Sequence, residues 1–265
     1  MTISSIQTSK CKLSYAKCCS GPKSLIMLPG VSVTGVLNSA AGVETAYEAF
    51  HGKYTIYLFE YPREEYPEGA EVGYIADILA EAIRLLDLKD CHLFGASFGG
   101  MIGQVLLAEY PELFVNAVLS STVARKSETS PETVRRWHDL AASGDVRSLN
   151  LAFYDAVYSD EYQIKFAGPI RNVLDNGNAD DCRVMAAHTG MILRLDLREN
   201  GKKIKAPVLV IGSKQDRVFS VEDLSAPALL SGGELFLYEG YSHAVFDEAP
   251  DFKQRILEHF AKSES

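Results

Sequence analysis

The segment with the most explicit chemistry is Gly95-Ala96-Ser97-Phe98-Gly99-Gly100. A short apolar run, Cys91-His92-Leu93-Phe94, precedes it and reads as a strand. Ile102, Val105 and Leu106 follow at helical spacing. A serine at a tight strand-to-helix turn is held in a strained, exposed conformation, and small residues two positions to either side keep the turn free of clashes. The Ser97 hydroxyl then stands at the start of a helix. The Phe98 N–H points the same way and can receive a developing oxyanion. The implied chemistry is nucleophilic attack. A phosphate loop needs Gly-Lys-Ser/Thr and a dinucleotide site needs Gly-x-Gly-x-x-Gly, and this segment has neither.

A serine hydroxyl needs a base, and an imidazole base needs a carboxylate to hold its tautomer. There are six histidines. His51 and His259 are expected in surface helices, His92 on the strand before Ser97, and His138 and His188 in helices of the middle region. His243 differs: Gly240-Tyr241-Ser242-His243-Ala244 follows the last strand, at the carboxyl edge of a parallel sheet, the edge that also carries Ser97. His243 is therefore the expected base. Asp216 follows another apolar strand and stands 27 residues before His243, room for one helix and one strand. It is the expected acid, with Glu222 and Asp223 as alternatives. The turn after the strand ending near Leu119 offers only Ser120, Ser121 and Thr122.

The elements that must position these residues alternate in texture. Strands are expected at Ser24–Leu28, Tyr54–Phe59, Cys91–Phe94, Ala117–Leu119, Pro207–Gly212 and Glu234–Tyr238. Helical stripes lie between them (Ile75, Ile78, Leu79, Ala82, Leu86) and after them (Phe252, Ile256, Leu257, Phe260). Continuously apolar strands alternating with helices predict an α/β fold, a mostly parallel sheet covered on both faces. Between Ala124 and Lys203 the strand texture stops. Ser130-Pro131 reads as a helix start, and Gly144-Asp145 and Asn176-Gly177-Asn178 as breaks between short helices. Residues 1–123 and 204–265 are thus expected to form one core, with 124–203 inserted over its carboxyl edge as a helical cap.

Composition excludes several classes. Apolar residues make up 47% of 265, ordinary for a globular chain, and no apolar run reaches the length of a membrane span. Twenty-six basic against 35 acidic residues leave a charge of −9, which argues against nucleic acid and anionic membrane as partners. The five cysteines (Cys11, Cys18, Cys19, Cys91, Cys182) have no metal-ligand spacing, and an odd number with no apolar leader fits reduced thiols and a cytoplasmic location.

The order Ser97, Asp216, His243 and the elements around it resemble the α/β-hydrolase superfamily over nearly the whole chain. Ile204-Lys205-Ala206-Pro207-Val208-Leu209-Val210-Ile211 is similar to the family's approach to its acid-bearing strand. Leu28-Pro29-Gly30-Val31 resembles its oxyanion loop. That match implies the Val31 N–H as the second oxyanion donor beside Phe98. There are two departures. Pro29-Gly30 stands where many members have His-Gly. Glu60-Tyr61-Pro62-Arg63-Glu64-Glu65-Tyr66-Pro67 replaces the family's Asp-x-x-Gly-x-Gly-x-Ser. The proline iminopeptidase signature His-Gly-Gly-Pro-Gly is absent, and a serine at position 97 argues against haloalkane dehalogenase and epoxide hydrolase.

The resemblance implies a serine hydrolase of a small carboxylic ester or thioester, acting through an acyl-enzyme on Ser97, with a small-molecule acyl substrate and no cofactor. Acyl transfer, carbon–carbon bond hydrolysis and a non-catalytic ligand-binding role are the alternatives. Trp137, Phe153, Tyr154, Tyr158, Phe166, Met185 and Met191 lie in the cap; most are expected in its own core and the rest against an apolar pocket. No Arg or Lys declares itself as a carboxylate clamp; Arg183 and Arg194 are candidates only by lying in the cap.

Overall fold

The computed structural model describes residues 1–126 and 131–262. Eight strands form one sheet: β1 (Thr2–Gln7), β2 (Lys12–Cys18), β3 (Lys23–Leu28), β4 (Tyr54–Phe59), β5 (Cys91–Ala96), β6 (Phe114–Ser120), β7 (Val208–Ser213) and β8 (Glu234–Tyr238). Their spatial order is β1-β2-β4-β3-β5-β6-β7-β8. From β4 to β8 every pairing is parallel; β1 and β2 add an antiparallel edge.

The central strands β5 and β7 are buried at every residue, as continuous apolar runs covered on both faces require. Helices α1 (Ala40–Ala46), α2 (Val72–Leu85) and α3 (Phe98–Glu109) connect the first parallel strands. The inserted region holds α4 (Pro131–Ser143), α5 (Val146–Val157), α6 (Asp160–Lys165), α7 (Ala167–Val173), α8 (Ala179–Ile192) and α9 (Arg198–Lys203). Then come α10 (Val221–Ser231), α11 (Val245–Glu248) and α12 (Phe252–Lys262). Ile75, Leu79, Ile102, Leu106 and Leu224, from α2, α3 and α10, share a core over one face of the sheet. Ala40, Phe252, Ile256 and Phe260, from α1 and α12, pack over the other.

The two expected breaks fall between helices, Gly144-Asp145 between α4 and α5 and Asn176-Gly177-Asn178 between α7 and α8, while the further breaks at Tyr158-Ser159, at Phe166 and after Ile192 are not among those expected. Asp145 caps α5, accepting from Ser148 N–H at 3.0 Å. Asn178 and Asp181 cap α8 reciprocally. The Ser130 start expected for α4 lies outside the described residues. Trp137 is buried, donates Nε1–H to the Ala152 carbonyl at 3.1 Å and packs on Phe153, so it belongs to the core of the inserted helices.

Three expectations need correction or completion. β1 and β2 had no apolar run to announce them. β1 lies at the sheet edge with none of its residues buried, and Ile3 is 55% exposed, so only weak alternation remains in the sequence. His259 is buried rather than at the surface, because it falls three residues after Ile256 on the inward stripe of α12. His51 is exposed in a turn, not in a helix. Among the described residues no helix is long and apolar enough to cross a membrane.

Candidate active site

The carboxyl ends of the six strands β3 to β8 converge on one edge of the sheet, and each delivers residues to the same place. β5 leads into Ser97, which caps α3 with φ 51° and ψ −115°. That left-handed value is strained for a side-chain-bearing residue. Neighbouring glycines permit it. A Cβ on Gly99 would stand 2.1 Å from the Leu28 carbonyl oxygen, and one on Gly95 would stand 2.7 Å from the Gly99 carbonyl oxygen. The steric reading of Gly-x-Ser-x-Gly is thus met by two close backbone approaches.

The loop after β8 places His243 so that Nε2 lies 2.9 Å from Ser97 Oγ. The loop after β7 places Asp216 so that Oδ2 lies 2.8 Å from His243 Nδ1. The other carboxylate oxygen, Oδ1, accepts from the N–H groups of Val218 at 2.7 Å and Phe219 at 3.0 Å, which fixes the plane of the carboxylate. All three side chains are buried, and the ring of Phe219 packs edge-on to that of His243. The alternative acids lie elsewhere: Asp223 accepts from Ser220 at the start of α10, and Glu222 is exposed near Arg125.

Val31 and Phe98 are both buried. Among the described residues neither main-chain N–H has a protein acceptor. Gly30, next to Val31 in the chain, lies against the serine, a Cβ built on it standing 3.3 Å from Ser97 Cβ. Both N–H groups sit on segments that adjoin the Ser97 turn, Val31 directly after Gly30 and Phe98 directly after Ser97.

The turn after β6, passed over in the sequence as lacking an acid, is part of this arrangement. Ser97 N–H donates to the Ser120 carbonyl at 2.7 Å. The Thr122 hydroxyl donates to the Ser97 carbonyl at 2.8 Å, and the Ser121 hydroxyl to the His243 carbonyl at 2.6 Å. Hydroxyl residues at a strand end carry no distinctive spacing; only their neighbours in space reveal the role.

The loop after β4 also turns inward. Tyr61 donates to the Pro29 carbonyl at 2.7 Å, and Tyr66 to the Pro62 carbonyl at 2.7 Å. Tyr66 Oη also lies 2.8 Å from His188 Nε2. The phenol has one proton, already given to Pro62, so at His188 it accepts and the imidazole carries its proton on Nε2. His188, on α8, stacks on the Phe98 ring with centroids 4.8 Å apart. Burial, with Arg63 nearby, pushes its pKa down to about 3, so the ring is neutral.

The inserted helices are tied to both ends of this edge. Beside His243, the Ser242 hydroxyl donates to the Ala156 carbonyl at 2.9 Å and Ala244 N–H to the Val157 carbonyl at 2.8 Å. Beside the β4 loop, Arg63 pairs with Asp181 at 2.6 Å. Arg183 is held by Asp180 and by the Arg63 carbonyl, and Arg194 donates to the Ala70 carbonyl at 3.1 Å. Both arginines named from the sequence are therefore engaged in joining the α8 segment to the loop after β4. A cavity of about 280 Å³ lies beside the loop after β3, lined by Val33, Asn38, Asn150, Phe153, Tyr154 and Val173 among others.

The five thiols are unpaired, and burial raises the pKa of each, Cys19 to about 11 and Cys91 to about 12. That direction removes thiolate character. Among the described residues no group of three or more His, Cys, Asp or Glu side chains is placed to hold a metal ion.

Known proteins share this architecture. A pimeloyl-[acyl-carrier protein] methyl ester esterase from Aeromonas hydrophila is 23% identical over 222 residues, covering 80% of this chain and 87% of that one. A 2-hydroxy-6-oxononadienedioate/2-hydroxy-6-oxononatrienedioate hydrolase from Escherichia coli K12 is 22% identical over 266 residues, covering 95% of this chain and 91% of that one. The crystal structure of an alpha/beta hydrolase enzyme from a Medee basin deep-sea metagenome superposes with a TM-score of 0.86 over 97% of each chain at 17% identity, a likeness of fold. The family model described as alpha/beta hydrolase fold matches residues 58–250, well over half of the sequence, and the chain belongs to that enzyme family.

Proposed function

We propose that this enzyme hydrolyses a small carboxylic ester or thioester through an acyl-enzyme on Ser97. The observation that carries the reading is the continuous hydrogen-bonded line from Ser97 Oγ through His243 to Asp216, at 2.9 and 2.8 Å, at a strained strand-to-helix turn. The Aeromonas relative, an ester hydrolase by name, supports the substrate class.

The mechanism follows from the atoms. Asp216 Oδ2 holds the proton on His243 Nδ1, which leaves Nε2 as the basic nitrogen facing Ser97. Ser97 Oγ attacks the acyl carbonyl carbon and its proton passes to Nε2. The carbonyl oxygen becomes an oxyanion held by the N–H groups of Val31 and Phe98. Removing one such donor in comparable sites costs about 3–4 kcal/mol of transition-state stabilisation. The tetrahedral intermediate collapses, and Nε2–H protonates the leaving alkoxide or thiolate. Water then gives a proton to Nε2, attacks the acyl carbonyl, and the carboxylic acid departs as Ser97 regains its proton.

Residues 124–203 act in this reading as the cap over the site. The cavity beside the loop after β3, lined by Asn150, Phe153 and Tyr154 from α5 and by Val33 and Asn38 from that loop, takes part of the substrate.

Turnover of p-nitrophenyl esters from acetate to octanoate, matched thioesters and a vinylogous diketone tests the reading, with products identified by mass spectrometry. Ester and thioester hydrolysis, lost in Ser97→Ala, is the expected result. Cleavage of the diketone alone would move the assignment to carbon–carbon bond hydrolysis. Ester formation with added alcohol in preference to hydrolysis would move it to acyl transfer.

A further inference from the structure

The loop after β4 departs from the family pattern, and Tyr61 is where that departure meets the site. Tyr61 is 4% exposed. Its hydroxyl donates to the Pro29 carbonyl at 2.7 Å. Its ring stands edge-on to the Phe98 ring, centroids 5.5 Å apart at 89°, and edge-on to His188, 5.6 Å apart at 88°. One side chain therefore touches both segments that carry the two unpartnered N–H groups.

Those segments approach each other closely at the backbone, at Gly99. A Cβ on Gly99 would lie 2.6 Å from the Pro29 oxygen as well as 2.1 Å from that of Leu28. On one side the Leu28–Pro29 backbone is pressed on the start of α3. On the other, Gly30 separates Pro29 from Val31, and glycine gives that joint wide rotational freedom. An anchor on the Pro29 carbonyl narrows the directions in which the next peptide, bearing the Val31 N–H, can point. Burial pushes the Tyr61 phenol well above its ordinary pKa, so it remains a donor.

We propose that Tyr61 is a positioning residue for the oxyanion hole, holding the Val31 segment by a hydrogen bond and the Phe98 segment by ring packing. The proposal rests on the oxyanion role given above to Val31 and Phe98. The effect of Tyr61 falls on the transition state, where the oxyanion exists, and not on the bound ester.

Tyr61→Phe keeps the ring and deletes the hydroxyl. With p-nitrophenyl butyrate, kcat is expected to fall about ten- to hundredfold with KM within about twofold. Inhibition by an alkyl trifluoromethyl ketone, whose adduct on Ser97 carries an oxyanion, weakens by the same factor, while inhibition by butyrate is unchanged. Phe98→Leu, which removes the ring contact and leaves the hydroxyl bond, shows the same pattern and keeps the test open if Tyr61→Phe does not fold. Wild-type kcat and ketone affinity in folded variants, or a loss residing in KM alone, overturns the proposal. Ser97→Ala separates the levels. Undiminished turnover in that variant removes the underlying reading, whereas Ser97-dependent turnover with an unaffected Tyr61→Phe removes only the role of Tyr61.

Discussion

The Ser121 hydroxyl donates to the main-chain carbonyl of His243 at 2.6 Å, across 122 residues of sequence. Ser121 has a left-handed backbone, φ 49°, and its own N–H donates to the Ile211 carbonyl at 2.8 Å. The turn after β6 is thus fastened to β7 while it reaches to the histidine loop. The position of His243 is set at its backbone as well as at its ring.

Ser121→Ala leaves the buried His243 carbonyl without that donor. The expected cost is about 1–3 kcal/mol of stability, with kcat reduced and Asp216 still in place. Thr122→Val is expected to cost less, about 1 kcal/mol, because the Ser97 carbonyl also accepts from Gly100 and Met101 N–H. Urea unfolding of both variants beside the wild type gives the order; a Thr122 variant weaker than the Ser121 variant would contradict it.

Gly99 and Gly73 make a matched pair. A Cβ at Gly99 meets the Leu28 carbonyl at 2.1 Å, whereas one at Gly73, in α2, meets nothing within 4 Å. Gly99→Ala is expected to destabilise by about 3 kcal/mol or more and to abolish ester turnover. Gly73→Ala is expected to be neutral or to stabilise by up to about 1 kcal/mol. Thermal unfolding measured on both variants checks the contrast.

His188 predicts a pH dependence of stability. Its folded pKa is about 3, below the ordinary value of 6.5. In acid the unfolded chain binds this proton and the folded chain does not. The contribution is therefore complete above pH 6.5 and is lost as pH falls towards 3, by about 1.4 kcal/mol per pH unit. His188→Phe keeps a ring on Phe98 and removes the titration. From pH 6.5 to 5 the wild type should lose about 2 kcal/mol more than this variant in urea unfolding. Parallel pH profiles would show that His188 titrates normally.

Much of the site was legible because its signals are local. Ser97 lies between glycines at a junction of strand and helix. Asp216 and His243 each follow an apolar strand that fixes which edge of the sheet they occupy. Parallel pairing of β5 to β8 brings the loops that follow them to one edge of the sheet. What the sequence concealed is carried by contacts between distant segments. Tyr61 meets Pro29, Thr122 meets Ser97, and His188 meets Phe98, and none of these pairs has a spacing that marks it. β1 was concealed for a different reason: an edge strand half open to water needs little apolar residue pattern.

The most direct test of the account is the site of covalent modification by a fluorophosphonate, read by intact mass and peptide mapping. The account predicts one adduct per chain, on Ser97, formed rapidly in the wild type and slowed by about 10³-fold or more in His243→Ala, where the base is gone. An adduct on another residue, or labelling of Ser97 at the same rate without His243, would contradict it.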